Sequence, residues 1–345
     1  MINKEHPLYL DDLKYILQVK DFELLHSKRF MITGATGLIG TCLIDSLMQA
    51  NHNGAGIEIF AIGRSKEKAA DRLGEYFSDS LFHFIEQDAR QPLPSQKVDY
   101  IIPLASNTHP LAYSQYPIET IEINIKGTEH ALQKADECGA TVLYPSTVEV
   151  YGNARGEDLF TEDYTGKLNL ANARSCYPES KRLSEALCQS YAAQKGVNVK
   201  IARLSRSFGP TMLLSDSKAS SQFILKALNA EDIVLKSKGN QFFSYTYVAD
   251  IVSAMLHILI HGETATPYNI SNDNCNLHLK DFASLCARWA DKQVIFELPS
   301  EVENKGYSIA MTAILTNDNL KSLGWIGRYS AEEAINRTLT IMSDK

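Results

Sequence analysis

Residues 29–40 read RFMITGATGLIG, and the reading of this stretch decides the fold. Arg29 to Thr33 is a short apolar run of strand length. Gly34, Gly37 and Gly40 follow, and the amphipathic pattern LIGTCLIDSLMQA begins at Leu38. A strand, a glycine turn and a helix in that order bring free backbone amides and the positive end of a helix dipole to one point. Such a point receives a pyrophosphate, because glycine lets the backbone turn sharply and come close to the phosphates. Three glycines at fixed spacing mean little alone; the strand before and the helix after give them weight.

Outward from this turn the alternation continues. IEIFAIG (57–63), FHFIEQD (82–88), VDYIIPLAS (98–106), TVLYPS (141–146) and VKIARLS (199–205) read as strands. Helical patterns cover 117–138 and run from about Tyr177 to Gln194. Alternating strands and helices predict the α/β class, a doubly wound parallel sheet of Rossmann type with helices on both faces. Beyond residue 205 the alternation weakens, which predicts a smaller C-terminal substrate-binding lobe. The expected organisation is a helical extension over 1–28, carrying Leu10, Leu13, Ile16 and Leu17 at helical spacing. A dinucleotide-binding domain follows over 29–205, with a returning segment near 241–262. Residues 206–240 and 263–345 form the lobe. A chain of 345 residues has room for both parts.

Composition narrows the function. A net charge of −7, from 34 basic and 41 acidic residues, argues against a nucleic-acid binder. Six cysteines without any CxxC spacing read as reduced thiols of a cytoplasmic protein. The start MINKEHPLYLDDLK is too polar for a signal peptide. The apolar run Ile251–Ile260 is too short to span a bilayer, so no membrane role is expected. His257 and His261 share a helix face but have no evident third ligand, so no metal site is expected.

Further residues carry chemistry. The second strand ends in Ala61-Ile-Gly-Arg-Ser65. An acid for the adenosine ribose is usual there, and Arg64 can instead meet a 2′-phosphate or simply stack, solvated, on adenine. Asp88 ends the third strand, where it can reach the adenine edge. Tyr177-Pro-Glu-Ser-Lys181 is a Tyr-x-x-x-Lys pair on one helix face, with Pro178 in the tolerant first turn. A neighbouring ammonium lowers a phenol pKa and makes Tyr177 a candidate base. The same spacing at Tyr191 and Lys195 lies too far along the helix to share the site and reads as packing. Cys176 beside Tyr177 reads as packing or lining. The strand end STVEVYG (146–152) places Ser146, Thr147 and Glu149 about thirty residues before Tyr177.

GATGLIG, Asp88, LAS at 104–106, Asn124-x-x-Gly-Thr128, STVEVYG, the Tyr177/Lys181 pair, FGP at 208–210 and YVAD at 247–250 together resemble one family. It is the extended short-chain dehydrogenase/reductase group of NAD-dependent epimerases and dehydratases. LASNTHPLAYSQYPIETIEINIKGT and ARSCYPESKR look most like UDP-glucuronate decarboxylase-like members. The resemblance implies NAD or NADP at Gly34, Thr36, Gly37, Leu38, Ile39, Gly40, Arg64, Asp88, Ala89, Leu104, Ala105, Ser106 and Asn124, with Tyr177 and Lys181. It implies a nucleotide-sugar substrate whose hydroxyl is oxidised to a keto intermediate. Tyr177 would take the proton, Lys181 would assist, and Thr147 or Ser146 would bond the oxygen. Glu149 is either catalytic or a structural carboxylate. Tyr113, Arg206, Lys218 and Gln222 would meet the substrate. A homodimer through helices near 117–138 and 177–195 is implied as well.

The sequence departs from the family pattern in places. Val148 stands where 4,6-dehydratases carry an aspartic acid that protonates the leaving hydroxyl. QFFSY at 241–245 lacks the arginine that often precedes the Tyr-Val motif and grips a diphosphate. AMTAILTND at 310–318 lacks another arginine, and Arg206 replaces a common asparagine. Arg206, Lys218, Lys236 and Lys238 are the candidates for compensating charge, although solvated lysines are the plainer reading. Decarboxylation or a related epimerase or dehydratase reaction leads. An NADPH-dependent reductase making a nucleotide-linked sugar or alditol is the alternative, and a non-catalytic dinucleotide sensor is a third.

Overall fold

A computed structural model describes residues 2–154, 159–297 and 312–344. Seven strands form the main sheet: β1 (Arg29–Thr33), β2 (Glu58–Gly63), β3 (Phe82–Glu86), β4 (Tyr100–Pro103), β5 (Thr141–Thr147), β6 (Val199–Leu204) and β7 (Pro267–Ile270). Their order is β7-β6-β5-β4-β1-β2-β3, and every pair is parallel. A parallel sheet is covered on both faces, which is why its strands read as nearly unbroken apolar runs.

Period-two alternation divides β1 between two cores. Phe30 and Ile32 join a cluster with Leu43, Leu47 and Met255, while Met31 joins Ile101, Val142, Tyr144, Leu132 and Cys188 on the other face. The helices Leu38–His52 and Val248–His261 cover the first face. Pro117–Cys138 and Cys176–Lys195 cover the second. The chain winds outward from β1 to β3, then returns to β4 on the other side. The loops after β1 and β4 therefore diverge at a switch point, where α/β sheets bind ligands.

The lobe holds a four-stranded sheet centred on Phe242–Tyr247. Arg206–Phe208 and Thr312–Ala313 pair with it in parallel, and Asn276–His278 pairs antiparallel. A second ladder joins Ile233–Leu235 to Val294–Phe296. The domain boundaries expected from sequence shift here. β7 lies inside the stretch assigned to the lobe, yet it extends the main sheet beside β6. Phe242–Tyr247, assigned to the returning segment, is the centre of the lobe's sheet. Strands this short carry no periodic signal of which sheet they will join. The lobe's residues 298–311 lie outside the described residues.

The extension over 1–28 folds as the helix Pro7–Ile16 and a short 3-10 turn at Phe22–Leu25. It also ties distant segments together. Asp12 is buried and accepts hydrogen bonds from Tyr247 Oη (2.6 Å), Tyr329 Oη (2.8 Å) and Arg337 Nε (3.0 Å). Three remote parts of the chain thus meet on one carboxylate. Burial, the larger effect, pushes this carboxyl up to about 6 against the pull of Arg337. Removing Asp12 leaves the buried Tyr247 and Tyr329 hydroxyls without this acceptor and Arg337 with Asp11 as its remaining ion-pair partner (2.9 Å), at a cost of about 3–5 kcal/mol. Asp12→Ala is therefore expected to lower unfolding free energy by about that amount in urea titrations. A loss below about 1 kcal/mol would show that the network contributes no more than a surface ion pair.

Candidate active site

The turn after β1 is built to the limit of backbone approach. Gly34 has φ +67°, and a Cβ there would lie 2.7 Å from the backbone of Leu104 and Ala105. A Cβ on Gly40 would strike the Gly34 and Ala35 carbonyls. Only glycine leaves room at both positions. Thr33 Oγ1 accepts the Ala105 amide (3.1 Å) and ties the ends of β1 and β4 together. Gly37 caps the helix Leu38–His52, whose free amides face the turn. This cradle suits the pyrophosphate of a dinucleotide.

One long cleft runs from this turn past the ends of β4 and β5 to the lobe. Gly34, Thr36, Gly37, Leu38, Ile39 and Gly40 line one end, with Arg64, Ala89, Leu104, Ala105 and Ser106 beside them. Thr147, Glu149, Tyr113 and Tyr177 line the middle, and Arg206, Lys218 and Gln222 line the lobe side. The sequence-predicted residues are thus largely brought together.

Several of them nonetheless have other partners. Asp88 is gripped by Arg90 through Nε and Nη2 (3.1 and 2.7 Å), which holds its carboxyl below the usual range, instead of presenting a free edge. Asn124 is buried outside the cleft. It accepts from Ser106 Oγ (2.7 Å) and donates to Ser180 Oγ (2.8 Å), joining the β4 loop to the Cys176–Lys195 helix. Ser146 donates to Glu185, which is itself ion-paired to Arg203 (2.7 Å). Ser146 also lines the cleft, but its hydroxyl is committed to Glu185, and it is Thr147 that bonds Tyr177. Lys218 is held by Asp216 (2.6 Å), and Gln222 donates to the Asp216 carbonyl (2.6 Å). Exposed Arg64 pairs with Glu119 (2.9 Å). Such a pair is worth at most about 1 kcal/mol and opens readily to a ligand.

Tyr177 is buried in the first turn of its helix, with its ring stacked on Tyr113 (centroids 5.5 Å apart, 20°). Burial pushes its phenol well above the ordinary range. Glu149 adds to the rise, and a hydrogen bond with Thr147 opposes it. The fall expected from Lys181 is therefore not a property of the protein alone. Lys181 Nζ turns to the Pro145 carbonyl (2.9 Å) and lies over the Tyr144 ring, outside the cleft.

Glu149 is the second residue of a 3-10 turn, Val148–Tyr151, and its amide donates to Thr147 Oγ1 (3.3 Å). Val148 is buried in the core, while Glu149 turns to Arg174 through both oxygens (3.2 and 3.3 Å). Arg174 Nη2 also reaches Tyr113 Oη (3.4 Å). A chain of contacts thus runs Glu149–Arg174–Tyr113–Tyr177. Sequence reasoning quoted Arg174 within ARSCY without giving it a role. Arg203 was also missed, although a charge inside the apolar strand VKIARLS was a signal.

The remaining candidates are structural. Burial raises the Cys176 thiol, which contacts the Tyr113 carbonyl (3.6 Å). His257 and His261 bond the Leu323 and Lys20 carbonyls. Lys195 pairs with Asp136. Lys236 and Lys238 are not structural: both are exposed, and Lys236 lines the cleft. Among the described residues no cluster of three metal-ligating side chains occurs, and no helix is long and apolar enough to cross a membrane.

A glycine cradle at the switch point, with Thr147 and Tyr177 beyond it, defines a Rossmann-fold enzyme of the short-chain dehydrogenase/reductase type that uses NAD or NADP. The NAD dependent epimerase/dehydratase family model matches residues 30–271, and the chain belongs to that family. UDP-glucuronic acid decarboxylase 1 from Danio rerio is 32% identical over 320 residues, covering 92% of this chain and 73% of that protein. UDP-glucuronic acid decarboxylase 6 from Arabidopsis thaliana is 36% identical over 244 residues, covering 71% of this chain and 69% of its own. The dTDP-glucose 4,6-dehydratase DesIV from Streptomyces venezuelae, solved with NAD bound, shares the fold with a TM-score of 0.77 at 21% identity. That match covers 91% of this chain and 96% of the dehydratase.

The burial of Lys181 gives a test of this geometry. Burial lowers its pKa from 10.5 to about 8. Between those values the unfolded chain holds a proton that the folded chain has lost, so stability rises with pH across that window. Below pH 8 the folded protein bears the full cost of a buried ammonium. Lys181→Met is expected to be more stable than wild type at pH 7 by on the order of 2–3 kcal/mol, with the gap narrowing from pH 8 to 10.5. Urea melts across that range check the sign; a constant gap would mean that the lysine does not titrate there.

Proposed function

We propose that this chain decarboxylates a nucleotide-linked uronic acid through a keto intermediate, with NAD or NADP held at the Gly34–Gly40 cradle. The observation that carries the reading is the strand end itself. Thr147 and Glu149 face the cleft beside Tyr177, while the intervening position is a buried valine. Dehydration needs an acid to protonate the departing hydroxyl, and Val148 supplies none. Decarboxylation needs no such acid. The named decarboxylase relatives support the same choice.

A bound dinucleotide supplies the hydride acceptor and a positive ring charge. Thr147 Oγ1 and Tyr177 Oη hold the reacting hydroxyl oxygen, and Tyr177 would take its proton as the carbon is oxidised, once the positive ring charge of the cofactor offsets the burial that keeps the phenol protonated. The resulting ketone lies β to the carboxylate. The carbon–carbon bond breaks, carbon dioxide departs, and its electron pair passes into an enolate on the ketone oxygen. Tyr177, now protonated, donates to that oxygen together with Thr147. A solvent proton would then be added at the enolate carbon, and the hydride would return to the ketone carbon as Tyr177 gives its proton back to the oxygen, so that the net change is loss of carbon dioxide. Glu149 is held by Arg174 beside these groups, where its charge is balanced. Arg64 remains available to a 2′-phosphate by leaving Glu119.

Incubation with UDP-, dTDP-, CDP- and GDP-linked sugars, with and without NADPH, followed by mass spectrometry tests the reading. Loss of carbon dioxide from a uronic acid is expected. Loss of water, gain of two hydrogens or an unchanged mass would instead assign dehydration, reduction or epimerisation. Tyr177→Phe should reduce turnover about 10²–10⁴-fold while dinucleotide binding is unchanged.

We also infer a cytoplasmic homodimer. Six free thiols, five of them buried, suit a reducing compartment. Ile118 (75% exposed), Ile121 (40%) and Leu183 (48%) leave an apolar patch on the two helices Pro117–Cys138 and Cys176–Lys195. Light scattering should give twice the chain mass, and Leu183→Glu should shift it toward one chain.

A further inference from the structure

Among the described residues four arginines line the cleft, and three of them are engaged. Arg64 pairs with Glu119 and Arg174 with Glu149, while Arg72 donates to Thr41 Oγ1 (3.1 Å) and the Thr211 carbonyl. Arg206 differs. Its Nη1 is buried with no hydrogen-bond acceptor among the described residues. Its guanidinium lies over the Phe243 ring, 3.4 Å from the centroid.

The strand geometry explains this placement. Arg206 stands opposite Tyr245 in the parallel ladder between Arg206–Phe208 and Phe242–Tyr247. Gln241, Phe243 and Tyr245 alternate onto one face, and all three line the cleft. QFFSY is the segment in which the family's diphosphate-gripping arginine is missing. A guanidinium from the neighbouring strand reaches across to that same segment. Gln241 Oε1 is also buried without a donor among the described residues. The wall therefore offers an unused cationic donor and an unused acceptor. An anionic oxygen group with a hydroxyl nearby satisfies both.

Charge places this wall near the reacting end. Glu149 and Tyr113 act on Arg206, and the same two groups act on Tyr177. Glu149 is already balanced by Arg174, which leaves Arg206 as the uncompensated cation. Its burial disfavours the charged form until an anion arrives.

We propose that Arg206 is the substrate's anion receptor, binding a carboxylate or phosphate oxygen pair through its fork in place of the arginine missing from QFFSY. The proposal rests on the nucleotide-sugar reading and adds the residue that recognises the charge. Lys218, by contrast, is already paired with Asp216 (2.6 Å).

Titration calorimetry of the NAD-loaded full chain with UDP, UDP-glucose, UDP-glucuronate and dTDP-glucose tests this. Arg206→Gln should weaken binding about ten- to hundredfold, and Arg206→Lys, which keeps the charge without the fork, should fall between. Both variants should retain wild-type NAD affinity and melting temperature, whereas Lys195→Gln, which removes a cation paired with Asp136 outside the cleft, should bind as wild type does. A loss confined to UDP-glucuronate assigns the receptor to a sugar carboxylate. A loss shared by UDP and the neutral sugars assigns it to the diphosphate. Nucleotide sugars that bind both Arg206 variants as tightly as wild type overturn the receptor but leave the nucleotide-sugar reading intact. Wild-type protein that binds NAD and none of the four compounds overturns both.

Discussion

The active site depends on how the helix Cys176–Lys195 is bolted to the end of β5. Where a parallel strand runs out, its last backbone groups lose their ladder partners. The helix supplies donors to them. Lys181 Nζ bonds the Pro145 carbonyl and Arg182 Nε the Val150 carbonyl (2.7 Å), and Glu185 takes the Ser146 hydroxyl. Residues 177, 181 and 185 recur at intervals of four and share one face. That face divides its work: the phenol goes to the cleft, the ammonium to the strand backbone, and the carboxylate to Ser146 and Arg203. The pairing of Thr147 with Tyr177 follows from this attachment.

Val148 takes a positive role in the same frame. It is buried at the start of the 3-10 turn, and that anchor sends the next side chain, Glu149, outward to Arg174. An acid at 148 would need a partner in an apolar core. The site is correspondingly short of proton donors and rich in held charge. Tyr177 lies among desolvating neighbours that favour its protonated form, with Thr147 as the opposing bond. That balance suits an oxygen-holding group whose charge changes only when substrate and cofactor charges are near.

The N-terminal extension joins the two parts of the molecule by the same means. Asp12 collects Tyr247, Tyr329 and Arg337, and Asp250 collects Tyr15 (2.9 Å), Asn272 (2.8 Å) and the Arg328 amide (2.9 Å). Two buried carboxylates thereby fix the helix Pro7–Ile16, the helix Val248–His261 and the C-terminal segment to one another. The strand Phe242–Tyr247, which carries the wall under Arg206, ends at this junction.

The sequence by itself determined the order of strands and helices, the glycine turn, and the proximity of the β5 end to Tyr177. These are local matters: apolar periodicity sets an element's faces, and Gly34 and Gly40 are required wherever backbone approaches backbone so closely. The small strands of the lobe were illegible because two to six residues carry too little periodicity to choose a sheet. Only the tertiary structure decided which polar side chains are already engaged and which are left free for a ligand. Ser146 turned to Glu185, Asn124 to Ser106 and Ser180, and Asp88 to Arg90, while Arg206 was left over Phe243 without an acceptor on Nη1 among the described residues. A buried polar group takes whichever partner folding brings within hydrogen-bond reach. For Ser146, Asn124 and Arg206 that neighbour lies distant along the chain, where the spacing of a motif carries no information about it.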